Sequence, residues 1–350
     1  MTDRIVIRRP DGWHLHLRDG AMLHGVVGAS ADHVGRAIVM PNLVPPVSTV
    51  RLAAEYRQRI LRAMQGLPRQ FEPLMTLYLT DATDADTIHE AAATDWLAAV
   101  KLYPAGATTH SAAGVQSLES LYPVLAAMEA VDLPLLVHGE VTDDDIDIFD
   151  REAVFIERHL APIVERFPAL RVVFEHITTA DAVQFVRGAG PRVAATITAH
   201  HLRLNRNDLL VGGLRPHYYC LPVLKRREHQ EALRAAATGG EPGFFLGTDS
   251  APHEVASKES ACGCAGVYTA HASIELYAEV FEEMQALDRL EAFASHYGPD
   301  FYRRPRNSDR VSLRRVAWEV PQTLPLGTGR LTPLAAGDAL RWQLVGRGAA

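Results

Sequence analysis

Eight short apolar, β-branched runs alternate along this chain with amphipathic stretches rich in Ala, Leu, Glu and Arg, and that alternation restricts the fold more than any other feature. The runs fall at 12–16, 36–42, 72–79, 97–103, 134–138, 171–176, 193–199 and 244–249. The helical stretches include 49–64, 84–95, 116–131, 152–166, 179–188, 225–237 and 270–287. Strand, helix and strand in succession make a parallel pair with a crossover, and eight such units predict a TIM-type (β/α)8 barrel in the α/β class. Arg36-Ala37-Ile38-Val39-Met40 is apolar almost throughout, as a sheet covered on both faces requires.

The 350 residues would suit two average domains, but α/β barrels reach this size as one. Nothing resembling a linker splits the chain, so residues 1–350 are expected to form a single barrel domain, the barrel over about 5–300 and a C-terminal extension over about 300–350 packed on it. The extension is Arg-rich at first and then strand-like at 311–320 and 340–345. A second irregularity is the long connection 200–224, which carries His200, His201 and His217; long connections in compact domains are usually functional or docking segments.

The bulk composition excludes several classes. A net charge of −7 lacks the basic face that nucleic-acid binding needs. The first ten residues hold no apolar stretch of the secretory type. No run approaches the ~18 apolar residues of a membrane span. Three cysteines (Cys220, Cys262 and Cys264) give an odd count and no disulfide framework, which fits a reducing cytoplasm. Cys262 and Cys264 read as loop thiols, because no second pair accompanies them to make a zinc knuckle. The acidic stretch 143–150 lacks the ligand spacing of a calcium loop and reads as solvated.

Six residues of metal-ligand type stand where expected strands run out: His14, His16, Lys101, His138, His176 and Asp249. Barrel enzymes build their sites at that rim. Side chains alternate along a strand, so His14 and His16 share a face and can grip one cation. Four histidines and an aspartate exceed what one tetrahedral zinc with an open position needs, which favours two metals. Lys101 has no lone pair while protonated. Burial among positive charges would depress its pKa and free an amine able to take up carbon dioxide as a carbamate. His200 and His201 are read as rim structure and not as ligands.

His14-Leu15-His16-Leu17-Arg18-Asp19, Met40-Pro41-Asn42-Leu43, Lys101-Leu102-Tyr103-Pro104, His138-Gly139-Glu140, Glu175-His176 and Gly247-Thr248-Asp249-Ser250-Ala251-Pro252-His253 occur in that order. Together they closely resemble the dihydroorotases of the amidohydrolase superfamily, over about residues 5–345. The resemblance is closest to the short, free-standing type, and Lys258-Glu259-Ser260-Ala261-Cys262-Gly263-Cys264-Ala265-Gly266 matches that type too. It implies two zinc ions: His14, His16 and Asp249 on one, His138 and His176 on the other, and carbamylated Lys101 (N6-carboxylysine) with a hydroxide bridging them. Arg18, Asn42 and His253 become the clamp for a substrate carboxylate, which suits the rigid fork of Arg. Leu221, Ala265 and Gly266 become contacts to the pyrimidine ring, and Thr108 and Thr109 the tip of a closing loop.

The implied reaction is the reversible cyclisation of N-carbamoyl-L-aspartate to L-dihydroorotate in pyrimidine synthesis. In the hydrolytic direction the bridging hydroxide attacks the ring amide carbonyl, and Asp249 serves as general base and then acid. A small-molecule substrate, no nucleic-acid or membrane partner, a cytoplasmic location and a homodimer complete the expectation. A hydantoinase, dihydropyrimidinase or allantoinase would share the metal machinery without needing the same clamp. A non-catalytic metal-binding barrel is the alternative from another class.

Overall fold

The computed structural model describes residues 3–345. A first strand, β1 (Arg4–Arg8), lies outside the barrel. Eight parallel strands then follow in chain order: β2 (Asp11–Leu15), β3 (Arg36–Val39), β4 (Glu72–Tyr78), β5 (Leu97–Leu102), β6 (Leu135–Val137), β7 (Val172–Phe174), β8 (Val193–Ile197) and β9 (Phe244–Leu246). These are the eight runs read from the sequence, the first shifted back by one residue and the others trimmed at their ends. The sheet closes on itself through a bridge between Leu15 and Ser250. There the His16 amide donates to the Ser250 carbonyl at 3.1 Å, and the Asp249 amide to the His14 carbonyl at 3.1 Å.

Each strand sends one side chain into a common interior cluster: Trp13, Ile38, Leu74, Ala99, Leu136, Val173, Ala194 and Phe245. Tyr302 joins them from just beyond the helix Tyr297–Phe301 and stacks on Trp13 at 4.4 Å with the rings 12° apart. This aromatic stack fills the end of the barrel opposite the site. Because strand side chains repeat every second residue, the next inward positions are 101, 138 and 175. Lys101, His138 and Glu175 occupy them. The register slips between Gly12 and Leu15 of β2, which lets Trp13 fill the interior while His14 and His16 reach the mouth.

All seven expected helical stretches contain helix, several with side-chain caps on free amides. Thr49 caps Val50–Ala63, Asp84 caps Ala85–Ala92 and Thr179 caps Ala180–Gly188. The stretch around 152–166 contains a π turn, Ile156–Leu160, between two α segments. One barrel helix escapes sequence reading, Gly20–His33. Its glycines (20, 25 and 28) depress helix propensity, and its apolar residues make no clean stripe.

The tail forms β10 (Arg310–Glu319), the small hairpin β11 (Leu324–Leu326) with β12 (Gly329–Leu331), and β13 (Ala339–Leu344). β10 sits between β1 and β13 in an antiparallel sheet, so the tail is zipped to the start of the chain. Buried carboxylates dock this sheet on the helix Ser273–Glu283. Glu279 Oε1 accepts the amides of Arg341 at 2.6 Å and Trp342 at 3.2 Å, and Glu275 Oε1 accepts that of Leu344 at 3.1 Å. No helix among the described residues is long and apolar enough to cross a membrane.

Gly298 marks where the barrel floor is tightest, since a Cβ there would lie 1.9 Å from Trp13 Nε1. Gly298→Ala should therefore destabilise the fold by about 1–3 kcal/mol through overpacking, reversing the usual gain from Gly to Ala in a helix. Urea unfolding monitored by circular dichroism checks this, and an unchanged or raised midpoint would contradict the packing described.

Candidate functional site

Six ligand-type side chains converge at the C-terminal mouth of the barrel. His14 Nε2, His16 Nε2 and Asp249 Oδ1 form a triangle with edges of 3.2, 3.2 and 3.1 Å. Three neutral or anionic donors held this closely are spaced nearly as around one tetrahedral cation, whose N and O ligands lie about 3.3–3.4 Å apart given bonds of about 2.0–2.1 Å. His176 lies beside them, its ring centroid 5.0 Å from that of His14 and 4.8 Å from that of His138. Ligand atoms of His14, His176 and Asp249 all fall within 4.8 Å of one another. His176 Nδ1 is buried without a hydrogen-bond partner, an orphaned lone pair of the kind a metal would satisfy. The residues present thus fit a metal cofactor.

His176 and Asp249 both hold φ at +43°, in the left-handed region that side chains seldom adopt. Backbone strain of this sort persists where the surroundings over-determine it. The His176 amide donates to Thr196 Oγ1 at 2.7 Å, and the Asp249 amide is held across the seam by His14.

Burial and charge set the protonation of the cluster. Burial is the dominant influence on His16 and lowers it to about 4, leaving a neutral imidazole with a free lone pair. His176 is driven well down by burial, with Lys101 adding to the effect. Burial also pulls on His14, but the carboxylates of Glu175 and Asp249 outweigh it and raise its pKa. Asp249 would rise by burial, and contact with His14 and His16 instead holds it well below the usual carboxylate range.

Lys101 is completely buried, and burial lowers its pKa. Its surroundings differ from the purely cationic ones expected, because Nζ contacts Glu175 Oε2 and sits 4.7 Å from the Tyr103 ring centroid. Glu175 therefore opposes the effect of burial on the lysine. Its other oxygen, Oε1, stands 3.0 Å from His14 Nδ1. Sequence reasoning quoted Glu175 in a motif and gave it no role. Its parity with Lys101 and His138 was the signal available. Glu140 likewise sits in a motif that assigns it no role; it lies 2.8 Å from His138 Nε2 and so leaves Nδ1 of that ring free to ligate.

The remaining expected residues close around this cluster. Arg18 is buried with φ +58°, and its carbonyl accepts from Tyr56 Oη at 2.6 Å. Its Nε donates to the Pro252 carbonyl at 3.1 Å, and Nη2 lies 2.9 Å from His253 Nε2. His253 Nε2 is also 3.0 Å from the Ala265 carbonyl, and one tautomer can serve only one of these contacts. Burial, reinforced by Arg18, lowers His253 to about 2, so its ring is neutral. Asn42 Nδ2 donates to the Thr109 carbonyl at 3.1 Å, and Thr109 Oγ1 donates to the Ala265 carbonyl at 3.3 Å.

His14, His16, Arg18, Asn42, Thr108, Thr109, His138, His176, Leu221, Asp249, Ala265 and Gly266 line one cavity with Tyr103 and Ala251. Lys101 lies deeper and His253 behind Arg18. The cavity holds only about 20 Å³ beneath Thr108 and Thr109, room for a single water, so the loop is closed over it. A larger apolar cavity of about 540 Å³, bordered by Gly25, His33, Trp318 and Pro325, contains none of the expected residues.

One further link was absent from the sequence reading. Lys258 Nζ donates to three carbonyls, those of Tyr219 at 2.7 Å, Cys264 at 2.7 Å and Gly266 at 2.9 Å. It ties the strand of chain leading to Leu221 to the loop that presents Ala265 and Gly266.

The comparisons agree with this geometry. The amidohydrolase family profile matches residues 12–318. A dihydroorotase of Methylobacillus flagellatus is 62% identical over 344 residues, covering 98% of this chain and 99% of its own length. The crystal structure of a dihydroorotase from Saccharomyces cerevisiae superposes with a TM-score of 0.91 at 35% identity, covering 98% of both chains. An L-hydantoinase of Arthrobacter aurescens shares the fold, with a TM-score of 0.78 at 15% identity over 99% of this chain and 85% of that one. This chain belongs to the amidohydrolase family and, within it, to the dihydroorotases.

Proposed function

We propose that this chain catalyses the reversible cyclisation of N-carbamoyl-L-aspartate to L-dihydroorotate, the ring-closing step of pyrimidine synthesis. The observation that carries this reading is the placement of the Arg18 guanidinium in the same small cavity as the His14, His16 and Asp249 triangle. A fixed cation beside a metal-type cluster suits a cyclic amide that bears a carboxylate. The relatives above are named for the enzyme of this reaction.

In this reading His14, His16 and Asp249 would hold one zinc, His138 and His176 would hold a second, and Lys101, as its carbamate, would serve both. Zinc supplies a Lewis acid for the amide oxygen and lowers the pKa of water. Asp249 accepts the proton of the attacking water and returns it to the leaving amide nitrogen, with His16 keeping the carboxylate aimed. Carbamylation needs Lys101 Nζ to shed its proton, which burial favours and Glu175 opposes. Arg18, Asn42 and His253 hold the substrate carboxylate, and Leu221, Ala265 and Gly266 border the ring. Thr108 and Thr109 must lift to admit a substrate, because the closed cavity is too small for one. The barrel and its C-terminal extension act as a single domain, in a cytoplasmic homodimer.

The decisive assay follows consumption of L-dihydroorotate by zinc-loaded protein through its ultraviolet absorbance. Rapid loss is expected, and no turnover would overturn the proposal. Arg18→Met should keep its zinc yet lose about 2–5 kcal/mol of transition-state binding, a fall in kcat/KM of roughly 30- to 4000-fold. Unchanged kinetics in that variant would remove the carboxylate assignment. Lys101→Ala should lose most bound metal, with partial recovery on adding acetate or propionate; full occupancy by elemental analysis would end the bridging role.

A further inference from the structure

A second cluster of ligand-type side chains lies outside the catalytic cavity. His200 and His201 belong to the helix Ala199–Arg203, capped by Thr198, and Cys220 comes from the long connection that follows. All three are buried, at 0%, 2% and 1% exposure, and one ligand atom of each lies within 4.8 Å of the others. Both ring nitrogens of His200 are buried with no hydrogen-bond partner. A histidine kept only for packing leaves two polar atoms unsatisfied there, which native interiors rarely tolerate.

The contacts around His201 are hydrogen bonds whose lengths lie within about 0.4 Å of the spacing in a coordination shell. Its Nε2 lies 3.7 Å from Cys220 Sγ and 3.0 Å from the Pro222 carbonyl oxygen, and Cys220 Sγ lies 3.3 Å from the same oxygen. Nitrogen, sulfur and oxygen ligands on a tetrahedral zinc, with bonds of about 2.0–2.3 Å, sit about 3.4–3.6 Å apart. His201 Nδ1 is 2.8 Å from Thr198 Oγ1, a partner that can accept its proton and leave Nε2 free to ligate.

We propose that His200, His201 and Cys220, with the Pro222 carbonyl as fourth donor, form a structural zinc site separate from the catalytic centre. Burial keeps His200 neutral by lowering it to about 4, so its lone pairs stay available. Burial pushes the Cys220 thiol up to about 12, while Lys258 and Lys225 pull the other way, and a bound dication displaces the thiol proton. The mixed nitrogen and sulfur donor set favours zinc over magnesium or calcium. Cys220 and Pro222 flank Leu221, which lines the catalytic cavity. A metal here pins that lining residue to the end of β8.

The test exploits the one chemical difference between the sites, since the catalytic centre contains no sulfur donor. Metal-free full-length protein is titrated with cobalt(II) and its near-ultraviolet spectrum recorded for a thiolate-to-cobalt charge-transfer band. The band is expected in the wild type, in Lys101→Ala and in the double variant Cys262→Ser/Cys264→Ser. It is expected to vanish in Cys220→Ser. His200→Gln, a near-isosteric change, should lose about one equivalent of tightly bound zinc and weaken the band while its circular dichroism stays that of the wild type, which separates loss of metal from loss of fold. The proposal is overturned if the wild type shows no band. It is overturned equally if the band survives Cys220→Ser, or disappears with the double variant.

Discussion

The seam where the last barrel strand meets the first is the contact on which the site depends. His14 and His16 lie on one side of it and Asp249 on the other, and two backbone hydrogen bonds across it bring their donor atoms into one triangle. These donor residues are separated by more than 230 residues of chain, so no local segment can assemble them. Closing the barrel and building the donor triangle are the same event. Lys101 and His138 then follow from strand parity, as inward positions one step above the apolar floor, while His176 reaches the cluster from the bent residue after Glu175.

Parity explains why so much was legible beforehand. A strand with an apolar inward residue at position 99, 136 or 173 must place residue 101, 138 or 175 inward as well, and Lys101 and His138 stand out there as ligand-type residues whereas Glu175 carries no role in the sequence alone. What the sequence hid depends on contacts made elsewhere. The strand Arg4–Arg8 has meaning only once β10 lies against it, since of its five residues only Ile7 is buried. The helix Gly20–His33 is buried by neighbours that compensate for its glycines. Lys258 looks like an ordinary loop cation until three carbonyls are found around its ammonium group.

Some of the buried charge in this molecule is paired with an opposite charge, and some, such as Lys258, is met by carbonyls. Arg36 grips Asp11 at 2.7 and 3.1 Å beneath the barrel, and Lys101 meets Glu175 at its mouth. A single unpaired ion would be costly in such surroundings. Glu175 is the hub, facing both His14 and Lys101, so any change in the lysine's charge is felt at the histidine through one carboxylate.

The aromatic stack of Trp13 on Tyr302 has a consequence for traffic. With Phe245 against both rings, the lower end of the barrel is plugged by side chains that are almost wholly buried. The catalytic cavity then lies toward the upper rim, beneath Thr108 and Thr109. A metal ion, substrate and product would all pass that rim. A chelator stripping the site and a product leaving it would both wait on the same loop, so resistance to demetallation and speed of turnover are set against each other by a few residues of chain.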